Sequence, residues 1–363
     1  MIRLISLLAG VAVSVAAMGE SKPNIVIFFA DDAGYADFGF MGSKQIETPV
    51  LDRLAKGGVV FDQAYVSGPV CSPSRAGFLT GKTQNLFGYE FNAWVTAPQP
   101  GDKLELIGLD VKQKTIGDFL RASGYRTGYF GKWHLGRADQ FFPTNRGFDE
   151  FWGFRGGSRS YWETDYSGTD RQIETNMPGA DLDVSYLTDD IADQAVDFIS
   201  RQTEPYLALL SFSAPHSPMH ALDEDLEKYH WIKPAQRQKY AAMMFAMDRA
   251  VGRVVEAVEK RGELENTLII FLNDNGGAFN ANGSINAPLN GMKGTFYEGG
   301  VRVPMLFHWP RMFKPGSYVK PVLSLDVVAT SIAAAGELPP EEMTGKNLLP
   351  FLNGDEGQPH NSI

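Results

Sequence analysis

The sequence predicts an α/β fold, a doubly wound, largely parallel central sheet with helices on both faces. Apolar runs of strand length alternate with amphipathic segments along the chain. Those runs are apolar throughout, as strands covered on both faces are. Polar residues then follow one run after another, at the carboxyl ends where open α/β sheets bind ligands.

The chain opens with "MIRLISLLAGVAVSVAAMGES", in which Arg3 precedes an apolar run from Leu4 to Ala17. About 14 apolar residues fall short of the roughly 20 that a spanning helix needs, so residues 1–19 read as a signal peptide and imply an exported, periplasmic or secreted protein. Five strands follow: "NIVIFFA" at 24–30, "RTGYFG" at 126–131, "YLALLSF" at 206–212, "TLIIFLN" at 267–273 and "VRVPMLFH" at 301–308. Amphipathic candidates lie at 48–57, 115–123, 186–202, 235–261 and 324–335. Residues 85–112 and 153–181 lack periodicity and read as long excursions that build substrate walls.

Composition narrows the function classes. The formal net charge is −10, and removing the leader with Arg3 makes it −10 − 1 = −11. That balance argues against nucleic acid as a partner but leaves room for a locally positive pocket. No membrane span is expected once the leader is cleaved. The single cysteine, Cys71, forms no internal disulfide, so stability must come from a packed core.

The residues after the apolar runs form a set: Asp31 and Asp32 after the first, Lys132 and His134 after the second, His216 and His220 after the third, Asp274 and Asn275 after the fourth. Asp31, Asp32, Asp274 and Asn275 offer oxygen donors, which suit calcium or, less well, magnesium. Taken singly, each pair also reads as a helix cap or tight turn. Cys71 by itself reads as a buried small hydrophobe or as a thiol activated by a helix beginning near Ser72.

The stretch "CSPSRAGFLTG" from Cys71 resembles the signature of the type I, formylglycine-dependent sulfatases of the alkaline phosphatase superfamily. "FFADDAGYADFG", "GKWHLG", "APHSP", "NDNGG" and "GMKGTFYEGGVRVP" resemble further family motifs, in the family's order. The resemblance spans about residues 22 to 351. It implies that Cys71 is oxidised to Cα-formylglycine by a formylglycine-generating or anaerobic sulfatase-maturating enzyme, and that Asp31, Asp32, Asp274, Asn275 and residue 71 hold calcium. One hydroxyl of the hydrated aldehyde would attack sulfur, and the second would expel the bound sulfate.

By the same resemblance Lys132 and Lys293 neutralise the sulfuryl oxygens and His216 protonates the bridging oxygen. His134 assists elimination, Arg75 orders formylglycine and the carboxylates, and Ser158 lies in the sulfate pocket. The expected activity is that of a sulfuric ester hydrolase acting on sulfated carbohydrate and on aryl sulfates. A phosphonate or phosphate ester hydrolase and an inactive sulfated-glycan binding protein are the alternatives. Tyr161, Trp162 and Tyr166 are candidates for stacking on sugar rings. His220 is a candidate substrate contact, whereas His230, His308 and His360 match no motif. The expected domains are the leader, a catalytic domain over 22–352, and at 353–363 the truncated start of a C-terminal segment, the family's usual small domain being either lost or cut off in a fragment.

Overall fold

The computed structural model describes residues 21–92, 103 and 107–361. The expected leader lies outside the described residues, as do parts of the 85–112 excursion. Nine strands form the central sheet: β1 (Asn24–Ala30), β2 (Val59–Phe61), β4 (Arg126–Lys132), β5 (Glu150–Phe154), β6 (Glu174–Thr175), β7 (Tyr206–Ser211), β8 (Thr267–Asn273), β9 (Met305–His308) and β10 (Gly316–Tyr318). Their order is β10-β2-β9-β8-β1-β7-β4-β5-β6. A separate two-stranded sheet pairs β3 (Ala64–Tyr65) with β11 (Val322–Leu323).

The five central strands, β8-β1-β7-β4-β5, run parallel, while β9 and β6 pair antiparallel with β8 and β5. The expected strand at 301–308 is thus corrected: Glu298–Val301 is a helical turn and only Met305–His308 is strand. Gly299 and Gly300 pack against backbone there, an environment that favours glycine over strand-forming side chains. The excursion assigned to 153–181 is also corrected, because its first two residues complete β5 and it contains β6.

Helices cover both faces. The apolar alternation of β1 shows how: Val26, Phe28 and Ala30 join one core, and Ile25, Ile27 and Phe29 join the other. On the first face lie α1 (Pro49–Lys56), α4 (Leu187–Arg201), α5 (Asp223–Lys228) and α6 (Ala235–Lys260). On the second lie α2 (Cys71–Thr80), α3 (Ile116–Ala122) and α9 (Asp326–Ala334). Two short helices, α7 (Phe279–Asn282) and α8 (Glu298–Val301), follow β8, and α10 (Leu349–Leu352) closes the series.

Local chemistry sets several boundaries. Thr115 and Asp118 form a reciprocal capping box at the start of α3. Asp248 on α6 accepts the Val50 and Leu51 backbone N–H groups at 3.0 and 2.9 Å, satisfying free donors of the first turn of α1. Near the C-terminal end, His360 Nε2 meets both carboxylate oxygens of Asp326 at 2.8 and 2.9 Å.

Candidate active site

Parallel register brings the ends of β1, β8, β7 and β4 side by side. The Asp31 N–H donates to the Ala214 carbonyl beyond β7 at 3.1 Å, and the Asp274 N–H to the Ala30 carbonyl at 3.0 Å. Each bond fixes a chemically important residue just past its strand. Asp32 and His134 have positive φ, 65° and 58°, and they are the non-glycine residues that take this conformation among those described. Such strain persists where surrounding contacts impose it, and it clusters at functional sites.

Cys71 is the first residue of α2 and is 1% exposed. Its Sγ lies 3.4 Å from Asp31 Oδ1, 4.0 Å from Asp32 Oδ1 and 3.1 Å from Lys293 Nζ. The first turn is held from outside: the Ser72 N–H donates to Asn92 Oδ1 at 2.9 Å, and the Ser72 hydroxyl donates to the His134 carbonyl at 2.7 Å. Burial pushes the Cys71 thiol pKa up, as do the charges of Asp31 and Asp274, against partial opposition from Lys132 and Lys293. The upward shift gives no support to the sequence-based alternative of a helix-activated thiolate, because burial disfavours the charged sulfur.

Three cations balance the three carboxylates. Lys132 Nζ lies 2.5 Å from Asp31 Oδ2, with both side chains fully buried. Lys293 Nζ lies 2.7 Å from Asp32 Oδ1 and 2.8 Å from its Oδ2. The Arg75 guanidinium donates from Nε to Asp274 Oδ2 at 3.1 Å, and its Nη2 lies 3.0 Å from the same oxygen. Its Nη1 donates to Ser211 Oγ at 2.5 Å and to the Lys132 carbonyl at 3.1 Å. Burial alone would raise the Asp31 pKa, but Lys132, His216, Arg75 and Lys293 hold it well below its ordinary value. Asp274 shifts upward, through burial and the nearby Asp31 charge. For Lys293, burial is outweighed by Asp32, Cys71 and Asp31, which hold its pKa well above the usual value.

Both site histidines are shifted toward the neutral form. His216 is lowered by burial despite Asp32 and Asp31, and His134 is lowered further by burial together with Lys132 and Arg75. His216 Nδ1 lies 2.5 Å from the Ser217 carbonyl, which can only accept, so Nδ1 carries the proton and Nε2 is the accepting nitrogen. That Nε2 lies 3.5 Å from Asp32 Oδ2. His134 Nδ1 is buried without a hydrogen-bond partner among the described residues. Its ring abuts Gly157, where a Cβ would come 2.7 Å from Nε2.

The donor chemistry fits a hard divalent cation. Ligand atoms of Asp31, Asp32, Cys71 and His216 all lie within 4.8 Å of one another. Asn275 donates from Nδ2 to Asp32 Oδ1 at 2.8 Å, which leaves its Oδ1 buried and unpartnered. Such an orphaned acceptor costs stability unless a cation or donor meets it. Asp274 is turned toward Arg75, and its other oxygen accepts the Asp32 N–H at 3.3 Å. Because the protein charges balance, a bound divalent ion would leave the site positive, the sign an ester anion requires.

Ser158 is placed differently from this group. It lines a neighbouring cleft of about 440 Å³ together with His134, Gly136, Arg137, Arg155, Gly157, Asp170 and Arg171. Sequence reasoning missed Ser211 and these arginines. Ser211 ends an apolar strand with no motif around it, and the arginines lie in stretches without periodicity. Tyr161 is also corrected as a sugar platform: it is fully buried, its hydroxyl donating to the His216 carbonyl at 2.9 Å. Trp162 is 38% exposed and packs on Tyr186, with ring centroids 4.7 Å apart. Tyr166 lies 5.2 Å from the Arg159 guanidinium. His220 Nδ1 meets the Tyr161 N–H at 3.3 Å, which anchors this loop. His308 Nδ1 bonds the Leu54 carbonyl at 3.0 Å, a packing role.

A mostly parallel sheet carrying carboxylates, lysines and histidines around a buried cysteine defines the class as an α/β protein with a buried, charge-paired centre at the strand ends. The family profile described as Sulfatase matches residues 23–337, and the chain belongs to the sulfatase family. Arylsulfatase J from Mus musculus is 36% identical over 318 residues, covering 85% of this chain and 51% of that protein. N-acetylgalactosamine-6-sulfatase from Homo sapiens is 31% identical over 349 residues, covering 91% and 66%. This chain therefore spans about half to two thirds of the length of these relatives. Among solved structures, Ps i-CgsB in complex with k-i-k-neocarrahexaose superposes with a TM-score of 0.84 at 40% identity, covering 91% of this chain and 76% of that one. The PsFucS1 sulfatase from Pseudoalteromonas sp. superposes at 0.78 with 26% identity, covering 94% and 74%.

Proposed function

We propose that this chain is an exported sulfatase that hydrolyses sulfate monoesters of carbohydrate and accepts aryl sulfates. Cys71 is converted to Cα-formylglycine by a maturating enzyme, and calcium is held by Asp31, Asp32, Asp274, Asn275 and residue 71. The observation that carries the reading is the placement of Cys71 Sγ between Lys293, at 3.1 Å, and Asp31, at 3.4 Å. A group at this position faces both the cation-holding carboxylates and the charge that would receive a sulfate. Export rests on the leader; no helix among the described residues is long and apolar enough to cross a membrane.

When present, hydrated formylglycine supplies an oxygen nucleophile and calcium eases its deprotonation. The chain's own residues do the rest. Lys132 and Lys293 bring positive charge against the sulfuryl oxygens, where it opposes the repulsion an ester anion presents to an incoming nucleophile. Ser158 contributes from the adjoining cleft. His216 exchanges a proton at Nε2 with the bridging oxygen; an arriving anion favours its charged form and offsets the burial that disfavours it. His134 would act as a proton acceptor beside residue 71, by the same reading. Arg75 holds Asp274 and the end of β4 in one arrangement.

Similarity to a protein crystallised with a neocarrahexaose and to an N-acetylgalactosamine-6-sulfatase supports a sulfated glycan as the substrate class. The test uses protein co-produced with a formylglycine-generating enzyme. The mass of the tryptic peptide Gly57–Arg75 is measured first, then turnover of matched sulfate and phosphate esters. The expected result is an aldehyde at position 71 and a preference for sulfate, both lost in Cys71→Ala, which stays folded. A strong phosphodiester preference, or full activity in Cys71→Ala, overturns the assignment.

A further inference from the structure

Resting on the reading of the site as a sulfatase centre, we propose that the cleft beside His134 is a second anion subsite. It would take a sulfate or carboxylate on the glycan other than the one being cleaved, with Arg171 as its recognising cation. Of the four charged residues lining the cleft besides His134, three are arginines (Arg137, Arg155 and Arg171) and one is Asp170. His134 lines the cleft and is also electrostatically coupled to Lys132, Arg75, Asp31 and Lys293 in the centre. An anion in the cleft is therefore next to the reacting group and not on a remote surface.

The arginines are arranged unequally. Arg137 pairs with Asp170 at 2.6 Å. Arg155 grips Glu174, with Nε 3.0 Å from both oxygens and Nη2 2.7 Å from Oε2. Its Nη1 also meets Asp139 and donates to the Arg137 carbonyl. These contacts fix the wall. The Arg155 carbonyl in turn accepts the His134 N–H at 3.1 Å, so wall and catalytic histidine share one backbone connection.

Arg171 differs, because its side chain is exposed and has no partner among the described residues. Its backbone is tied down nonetheless: its N–H donates to Thr169 Oγ1 at 3.2 Å and its carbonyl accepts Arg159 Nη1 at 2.9 Å. A guanidinium on an anchored backbone, with its fork unspent, suits bidentate recognition of a sulfate or carboxylate. Asp170, already paired with Arg137, repels an anion on its own side of the cleft, which leaves the Arg171 side as the favourable one.

The experiment compares kcat/KM of formylglycine-bearing wild type, Arg171→Ala and Arg171→Glu on a disulfated oligosaccharide and its monosulfated counterpart. The expected result is a fall of about tenfold in the disulfated-to-monosulfated ratio for Arg171→Ala, and a larger fall for Arg171→Glu. Arg171→Lys should recover part of the ratio. An unchanged ratio in both variants overturns the subsite. If wild type turns over no sulfate ester, the underlying reading fails, and the subsite is judged separately by calorimetric binding of the disulfated oligosaccharide to Cys71→Ala. Binding weakened about tenfold by adding Arg171→Glu upholds it, and equal binding overturns it.

Discussion

Replacing Arg75 with lysine keeps the charge and removes the fork. Arg75 is fully buried and serves three partners at once: Asp274 through two nitrogens, Ser211 Oγ, and the Lys132 carbonyl. A lysine ammonium can retain one contact with Asp274 but not the spread of the others. The Lys132 carbonyl loses little, because the Ser211 and Tyr129 hydroxyls also donate to it at 2.7 and 2.6 Å. The principal loss is at the buried Asp274 carboxylate, where the guanidinium combines one charge-assisted hydrogen bond from Nε with a close ion contact from Nη2 and a lysine keeps only one of the two, about 1.5–3 kcal/mol. The guanidinium also lies 5.1 Å from the Phe29 ring centroid, a contact contributing about 0.5–1 kcal/mol. Arg75→Lys should therefore destabilise the fold by about 2–4 kcal/mol, lowering Tm by roughly 3–6 °C for a domain of this size. Arg75→Met leaves Asp274 without its cation and should cost about 3–5 kcal/mol. Thermal unfolding followed by near-UV circular dichroism, with urea titration at 25 °C, measures both. Activity on an aryl sulfate should fall at least about a hundredfold in Arg75→Lys, since the fork sets the carboxylate geometry. A lysine variant within about 0.5 kcal/mol of wild type and fully active would refute the reasoning.

The two lysines should separate stability from activity. Lys132→Ala strands fully buried Asp31 and should cost about 3–5 kcal/mol, whereas Lys293, 18% exposed at its side chain, should cost less while still abolishing turnover; equal stabilities would count against this contrast. Rigorous chelation should lower Tm and activity together, and calcium should restore both, because an ion that binds only the folded state stabilises it; an active protein found metal-free by elemental analysis would exclude the metal. Burial raises the Asp248 pKa from 3.8 to about 7, against the backbone donors of Leu51 and Val50. Its folded pKa lies above the unfolded one, so its stabilising contribution is complete below about pH 4 and is lost as pH rises through about 7, by about 4 kcal/mol at most. Asp248→Asn should therefore flatten the decline of Tm between pH 5 and pH 8, and parallel profiles for the two proteins would show that Asp248 does not titrate there.

The sequence by itself determined the parts whose information is local. β1 and β8 coincide with their apolar runs, and α1, α3, α4, α6 and α9 fall within a residue or two of the amphipathic segments, because a strand buried on both faces and an amphipathic helix each write their environment into neighbouring residues. The candidate site was legible for a related reason: Asp31, Lys132 and Asp274 sit at or just past strand ends, and parallel pairing brings such ends together. Only the tertiary structure decided the rest. The short strands β2, β3, β6, β10 and β11 have two or three residues each, too few for a period, and exist because a partner strand is present. The direction of β9, the burial of Tyr161 and the thiol's upward shift depend on contacts between residues distant in sequence. So does the cleft, where residues 134–137, 155–158 and 170–171 meet: electrostatics and desolvation are set by which groups are close in space, and no window along the chain contains them all.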